Sequence, residues 1–278
     1  MLMAGQKMTK NKKSFQRYWM MCRELLGSLL FPTRCIVCDD ILSPEESAKR
    51  IHAECESKLY PICGVVCMQC GRPIKKSFDA ESEKSAYLEI YRSYEYCYEC
   101  QPNIKSQRKS KITQSKALYL YKGAIKQTMY RFKYSNKREY AIYFAREAVC
   151  KYGAWMKEKQ IQAIIPVPMY KYKERKRGYN QAKTFAKALS ELTGVPVVED
   201  MVIRVKDTRP LKSLNAVERK NNLKNAFQNG KSIVQYTHIL VVDDIYTTGS
   251  TAQAVAEELI KQGVSHVYFM SICIGETM

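Results

Sequence analysis

The sequence predicts an α/β protein: a parallel sheet layered with helices, preceded by a small cysteine-rich module. Three observations carry this. From Ile161 onward short apolar runs alternate with amphipathic stretches. Strand–helix–strand units of that length build parallel sheets covered on both faces. Most of the eleven cysteines fall in the first hundred residues. The chain, at 278 residues, suffices for one large domain or two smaller ones.

Composition narrows the classes. A chain that is 46% hydrophobic and 11% aromatic is not disordered throughout. No run of about 18 uncharged apolar residues occurs, which excludes a membrane-spanning helix. Met1 to Arg17 is polar and basic, without the apolar core of a secretory leader. The expected compartment is therefore the reducing cytoplasm, where paired cysteines hold metal more often than disulfides. The formal charge of +19 favours an anionic partner: nucleic acid, a phosphorylated metabolite or an acidic membrane face. Solvated lysines are the plainer alternative.

Residues 1–31 read as a basic leader. Apolar groups from Phe15 to Leu30 recur near helical spacing, which predicts a short amphipathic helix packed on its own domain. Residues 32–102 carry the cysteines. Cys35-x2-Cys38 is followed by His52-x2-Cys55, and Cys67-x2-Cys70-Gly71 by Cys97-x2-Cys100. The two-residue spacing lets one tight knuckle aim two side chains at an ion, and two knuckles close a tetrahedron. Two structural Zn2+ sites are expected: Cys35, Cys38, His52 and Cys55 for the first, Cys67, Cys70, Cys97 and Cys100 for the second. Neither implies an open coordination position. Cys63 stands near Cys67 as a competing ligand. Cys22, Cys150 and Cys273 lie in apolar settings and read as buried thiols.

Residues 101–116 hold five basic residues and no acid, as an exposed bridge would. From Tyr119 to Trp155 tyrosines and basic residues interleave, among them Tyr121, Lys122, Tyr130, Lys133 and Tyr134. That suits single-stranded nucleic acid, by phosphate contact and base stacking. For Ala141 to Trp155 a helix with inward-facing aromatics is the preferred reading. Further on, strands are expected at Ile161–Val167, Met201–Val205, Thr237–Val242 and His266–Ile274. Helices are expected at Tyr179–Leu192, Asn215–Asn225 and Thr251–Gln262, the last stopped by Gly263.

The sharpest feature is HILVVDDIYTTGST, His238 to Thr251. An apolar strand delivers two adjacent acids, Asp243 and Asp244, to its end. Thr247, Thr248, Gly249, Ser250 and Thr251 then open a helix. This is a phosphate cradle in chemical terms: loop N–H groups, hydroxyls and a helix N-terminus converge on one anion. Gly249 allows close approach of the backbone. Two carboxylates before the cradle suit a ligand with vicinal hydroxyls as well as phosphate. The Walker and dinucleotide glycine patterns are both absent.

VVDDIYTTGST resembles the phosphoribosyl-pyrophosphate (PRPP) signature of type I phosphoribosyltransferases. The whole chain, from about Phe31 to Ile274, resembles the ComF (competence protein F) family, in which a double zinc ribbon precedes a phosphoribosyltransferase-like domain. Tyr121-Lys122-Gly123, Phe132-Lys133-Tyr134, Pro166-Val167-Pro168 and the run Arg175-x-Arg177-Gly178-Tyr179-Asn180-Gln181-Ala182 match other family elements. So do Arg204, Thr208, Leu214, Arg219, Asn222, Ala226 and Phe227. The resemblance implies a leader at 1–31, a double ribbon at 32–102, a linker at 103–116 and the phosphoribosyltransferase-like domain at 117–278.

It also implies roles. Asp243 and Asp244 hold ribose hydroxyls and are the candidate catalytic pair. Thr247 to Thr251 hold the 5′-phosphate. Lys171, Arg175, Arg177 and Gly178 approach the pyrophosphate, in a stretch (171–187) of seven basic residues and one acid. Arg204, Thr208 and Arg219 belong to a flexible loop that closes over the site. Mg2+ accompanies PRPP, and the expected setting is DNA uptake, with single-stranded DNA and DNA-uptake or recombination proteins as partners. The chain departs from the pattern at two places. Thr247 stands where purine-salvage relatives carry a proton-accepting carboxylate, and Leu211 where ComF relatives commonly have Gln. The alternative reading is a non-catalytic zinc-ribbon protein that binds single-stranded DNA and only senses a phosphorylated ligand.

Overall fold

The computed structural model describes residues 32–74, 96–97, 100, 110–207, 225–231 and 236–276. The expected leader helix, most of the bridge and the Asn215–Asn225 helix up to its last residue lie outside these. The chain divides into two compact units, the first ending at Ser57 and the second starting at Lys58.

The first unit is built around the Cys35–Cys38 knuckle and two single-turn helices, α1 (Pro44–Ser47) and α2 (Ala53–Glu56). Ser43 and Glu46 cap α1 reciprocally. Ile36, Val37, Leu42 and Ile51 are its buried apolar residues beside the cysteines. A core this small leaves room for a metal to supply the cohesion.

The second unit holds a four-stranded parallel sheet in the order β1–β6–β5–β2. Its strands are β1 (Gln114–Leu120), β2 (Ala163–Pro166), β5 (His238–Tyr246) and β6 (His266–Ile274). Between β1 and β2 run α3 (Ile125–Tyr134) and α4 (Tyr140–Glu158); after β2 come α5 (Lys171–Arg177) and α6 (Gln181–Thr193). A small antiparallel pair, β3 (Val202–Arg204) with β4 (Phe227–Asn229), precedes β5. Helix α7 (Ser250–Lys261) links β5 to β6. Ile239 and Val241 of β5 and Val267 and Phe269 of β6 cluster with Val255, Ala256 and Leu259 of α7. The alternate residues Leu240, Val242, Tyr268 and Met270 are buried as well, so both faces are covered. Helix α6 packs on β2 and β5 and against α4. The expected fold class, a double zinc ribbon ahead of a parallel-sheet α/β domain, stands.

Strand β1 was not expected; its first three residues, Gln114 to Lys116, fall within the expected bridge. Only Ser115, Ala117, Leu118 and Tyr119 are buried along it, so its apolar run is confined to the second half, after a polar start at Gln114 to Lys116. The Lys116 ammonium lies over the rings of Tyr152 (5.8 Å) and Trp155 (5.7 Å) of α4, its stem covering apolar surface. The outer edge of β1 is not left open. Ile62 N–H donates to Leu118 O and Leu120 N–H to Tyr60 O, both at 2.9 Å.

Helix α4 confirms the inward-facing aromatic layer, with Tyr140, Tyr143 and Phe144 buried. Tyr119, read as part of a nucleic-acid-facing interleave, is core too, its hydroxyl 2.9 Å from that of Tyr143. Cys273 is buried as expected, whereas Cys150 is exposed, on the solvent side of α4. Cys22 lies outside the described residues.

Candidate functional site

Two clusters of metal-ligating groups occur among the described residues: Cys35, Cys38, His52, Cys55 and Cys67, Cys70, Cys97, Cys100. Within each, the donor atoms all lie within 4.8 Å of one another. The two leading knuckles repeat one hydrogen-bond pattern. Cys35 N–H donates to Asp40 O and Asp39 N–H to Cys35 O; Cys67 N–H donates to Arg72 O and Gly71 N–H to Cys67 O, at 2.8–2.9 Å. Asp39 (φ +69°) and Gly71 (φ +77°) hold the left-handed position each turn needs. A Cβ on Gly71 would stand 2.7 Å from Ser115 O of β1.

His52 completes the first cluster. Its Nδ1 is 3.3 Å from Cys38 Sγ, and its Nε2 is 3.4 Å from Ile41 O. A carbonyl only accepts, so Nε2 carries the proton and Nδ1 is left for a metal. Cys63 is exposed and belongs to neither cluster. Three thiolates with one imidazole, and four thiolates, fit closed structural Zn2+ sites.

The second candidate site lies at the carboxyl end of the sheet, where open parallel sheets take ligands. Strand β5 runs four residues past Val242, so Asp243 and Asp244 sit within its last four residues rather than after it. Asp243 pairs in register with Ser271 of β6, and its carboxylate accepts from Asp244 N–H at 2.8 Å. Burial drives the Asp243 carboxyl up to about 7, and the charge of Asp244 pushes the same way. Lys133 and Arg204 pull it back. Asp244 pairs with Lys133 at 2.9 Å. Lys133 is carried by the last turn of α3. The end of that helix is latched by the last residue of α5 and the segment that follows it. Tyr179 hydroxyl donates to Phe132 O, and Arg177 stacks on Tyr134 at 4.9 Å.

Beyond the acids, Thr247 and Thr248 are exposed, Gly249 is buried, and Ser250 and Thr251 begin α7. Gly249 caps α7 with φ +75°. Thr248 and Ser250 hydroxyls lie 2.9 Å apart. From below, Arg72 fixes the bend: it donates to Thr247 O and, at 3.1 Å, to Gly275 O.

Strand β2 leaves the sheet beside β5, with Val167 N–H donating to Val242 O at 2.9 Å. The basic stretch that follows is helix α5, ended by left-handed Gly178. Lys171, Glu174, Arg175 and Gly178 line an open depression of about 400 Å3. Arg177 turns elsewhere, to Gln181 Oε1 at 2.8 Å and to Tyr134. Arg204 ends β3, stacked over Phe227 at 5.4 Å. Lys173 of α5 pairs with Asp207 just beyond β3. Thr208 and Arg219 lie outside the described residues.

A double zinc ribbon domain is matched over residues 26–101. Competence protein F of Haemophilus influenzae is 41% identical over 108 residues, 38% of this chain and 47% of that protein. Competence protein ComFC of Bacillus subtilis is 26% identical over 245 residues, 82% of this chain and 89% of that one. DNA utilization protein YhgH of Escherichia coli K12 is 34% identical over 110 residues, 40% and 48% respectively. The match thus spans about half the length of the Haemophilus and Escherichia relatives. Among solved structures, an adenine phosphoribosyltransferase matches 47% of this chain and 70% of its own, at 18% identity and a TM-score of 0.30. The chain thus carries a double zinc ribbon and is similar to ComFC along most of its length and to competence protein F over part of it.

Proposed function

We propose that this chain binds PRPP, or a related phosphorylated ribose, together with Mg2+ at the carboxyl ends of β5 and β2, and serves DNA uptake from the cytoplasm. One observation carries the reading: two adjacent carboxylates lie near the end of a mostly buried strand, two residues before a hydroxyl-rich bend that opens a helix of 12 residues. Asp243 and Asp244 accept hydrogen bonds from the ribose hydroxyls. The N–H groups and hydroxyls of Thr247 to Thr251 hold the 5′-phosphate, aided by the helix dipole. Lys171, Arg175 and Gly178, which line the open depression at α5, serve the pyrophosphate.

Two carboxylates are too few to cage a cation, which fits Mg2+ held mostly by ligand oxygens and water. When bound, the ion neutralises pyrophosphate charge. In a transfer reaction an acceptor nucleophile bonds to the anomeric carbon of the ribose. The bond from that carbon to the pyrophosphate oxygen breaks, and its electron pair leaves with pyrophosphate. The protein's part is orientation and stabilisation of the leaving charge. Titration calorimetry with PRPP and Mg2+ tests the site. One binding event per chain is expected, lost in Asp243→Asn/Asp244→Asn; no heat from the unaltered protein overturns the proposal.

Thr247 favours a second reading, because a hydroxyl is a poor base for activating an acceptor. The domain then senses the phosphorylated ligand while the protein binds single-stranded DNA. Similarity to a competence protein and to a DNA utilization protein supports a DNA context. Anisotropy with an oligonucleotide across a salt series, with and without PRPP, separates the two. Sensing predicts affinity that falls steeply with salt and shifts with PRPP, without pyrophosphate release.

A further inference from the structure

We infer that Arg72 is a positioning residue that couples the second zinc site to the phosphate-binding bend. Zinc held by Cys67, Cys70, Cys97 and Cys100 and an anion held by Thr247–Thr251 then support one another. The identity of the anion rests on the proposed function; the coupling rests on the geometry.

Arg72 belongs to both structures. Its backbone carbonyl accepts from Cys67 N–H at 2.8 Å, closing the knuckle that aims Cys67 and Cys70. The residue is 7% exposed, and its side chain forks between two carbonyls, Thr247 O and Gly275 O. Those two residues follow β5 and β6, so one guanidinium ties together the ends of the two central strands. Gly275 N–H in turn donates to Tyr246 O at 2.8 Å. The apolar contacts agree: Cys67, Cys70 and Tyr246 share one packed cluster, with Cys97 and Cys100 against it.

The consequence for the bend follows from peptide geometry. No cis peptide bond occurs among the described residues, and in a trans peptide the carbonyl of one residue and the N–H of the next point in opposite directions. Arg72 draws the Thr247 carbonyl toward the ribbon, so the Thr248 N–H is turned away from it, to the side on which an anion binds the bend. Without the knuckle the guanidinium has no fixed origin, and without the guanidinium this peptide is free to rotate. Lysine is no substitute, since an ammonium lacks the planar fork that serves two acceptors at once. Coupling of this kind is reciprocal: if zinc raises affinity for the anion, the anion raises retention of zinc by the same factor.

The exchange and affinity tests use the full chain with both zinc ions retained. Hydrogen exchange is compared at amides 247–251 in the unaltered protein, Arg72→Met and Arg72→Lys, without ligand. Faster exchange confined to the bend is expected in Arg72→Met, with Arg72→Lys between. PRPP affinity should fall by about 10- to 100-fold in Arg72→Met, as for loss of charge-assisted hydrogen bonds. PRPP should also slow chelator-driven zinc loss in a His52→Ala chain, where the second site is the one filled. Unchanged exchange at the bend in both variants overturns the coupling, whether or not PRPP binds. Absence of PRPP heat from the unaltered protein sinks the ligand assignment instead and leaves the exchange result to decide. Should Arg72→Met fail to fold, the Arg72→Lys exchange and the zinc-loss rates decide.

Discussion

The ammonium of Lys133 lies 2.9 Å from the carboxylate of Asp244, with both side chains largely buried at 20% and 13% exposure. Burial, the largest single influence, would lower the lysine pKa, but the charge and hydrogen bond of Asp244 together with the charge of Asp243 outweigh it and raise the pKa above its ordinary value. The pair joins the last turn of α3 to the end of β5. Removing one partner of a buried pair leaves an uncompensated charge, at a cost of order 3 kcal/mol. Lys133→Met should therefore destabilise the fold by about that much in urea unfolding. Lys133→Met/Asp244→Asn should recover most of the loss. Purely additive effects would show that the contact carries no coupling.

Asp243 sets a pH dependence of unusual sign for a carboxylate. Its folded pKa of about 7 lies above the ordinary aspartate value of about 3.9. Between those values the native state keeps a proton that the unfolded chain has lost. Stability therefore falls as pH rises through that window and levels off above 7. Asp243→Asn removes the penalty. Its Tm should gain on the unaltered protein from pH 4.5 to 8.5, by roughly 2–4 °C per kcal/mol relieved, while ligand binding is lost. Site residues often cost stability in this way. Melting curves that shift in parallel over that range would remove this account.

The sheet was legible because buried parallel strands declare themselves as apolar runs: β6 was read from His266 to Ile274, its observed span. The knuckles were legible because metal ligands need fixed local spacing, and His52 was found by the slot it fills. Strand β1 escaped notice because Lys116 and Gln114 interrupt it; only the tertiary packing of Lys116 on Tyr152 and Trp155 makes the pattern intelligible. Lys133 was seen as one basic residue among tyrosines, since nothing local links it to an acid 111 positions later. Arg72 left no signal at all: its partners lie 175 and 203 residues away. Local chemistry was readable, and long-range electrostatic partners were not.

Elemental analysis should find two zinc ions per chain. His52→Ala should hold one, because a three-thiolate site with no fourth donor loses affinity while the second cluster is untouched. Cys63→Ser should still hold two, its thiol lying outside both clusters. Two ions in His52→Ala together with one in Cys63→Ser would reverse the ligand assignment.

Gly249→Ala tests the bend itself. At φ +75° an alanine is strained, at roughly 1–2 kcal/mol. Its Cβ would also stand 2.7 Å from Cζ of Tyr246, close beneath the hydroxyl. Tyr246 is buried against Phe269, ring centroids 5.4 Å apart, and has little room to withdraw. The bend must then open, moving the N–H groups of Ser250 and Thr251. Gly249→Ala should lower stability by about 2 kcal/mol or more and abolish PRPP binding. Gly249→Ala/Tyr246→Phe shortens the obstructing side chain but leaves φ unchanged, so it should recover part of the stability and little of the binding. Calorimetric affinity equal to that of the unaltered protein in Gly249→Ala would show that the anion is held elsewhere.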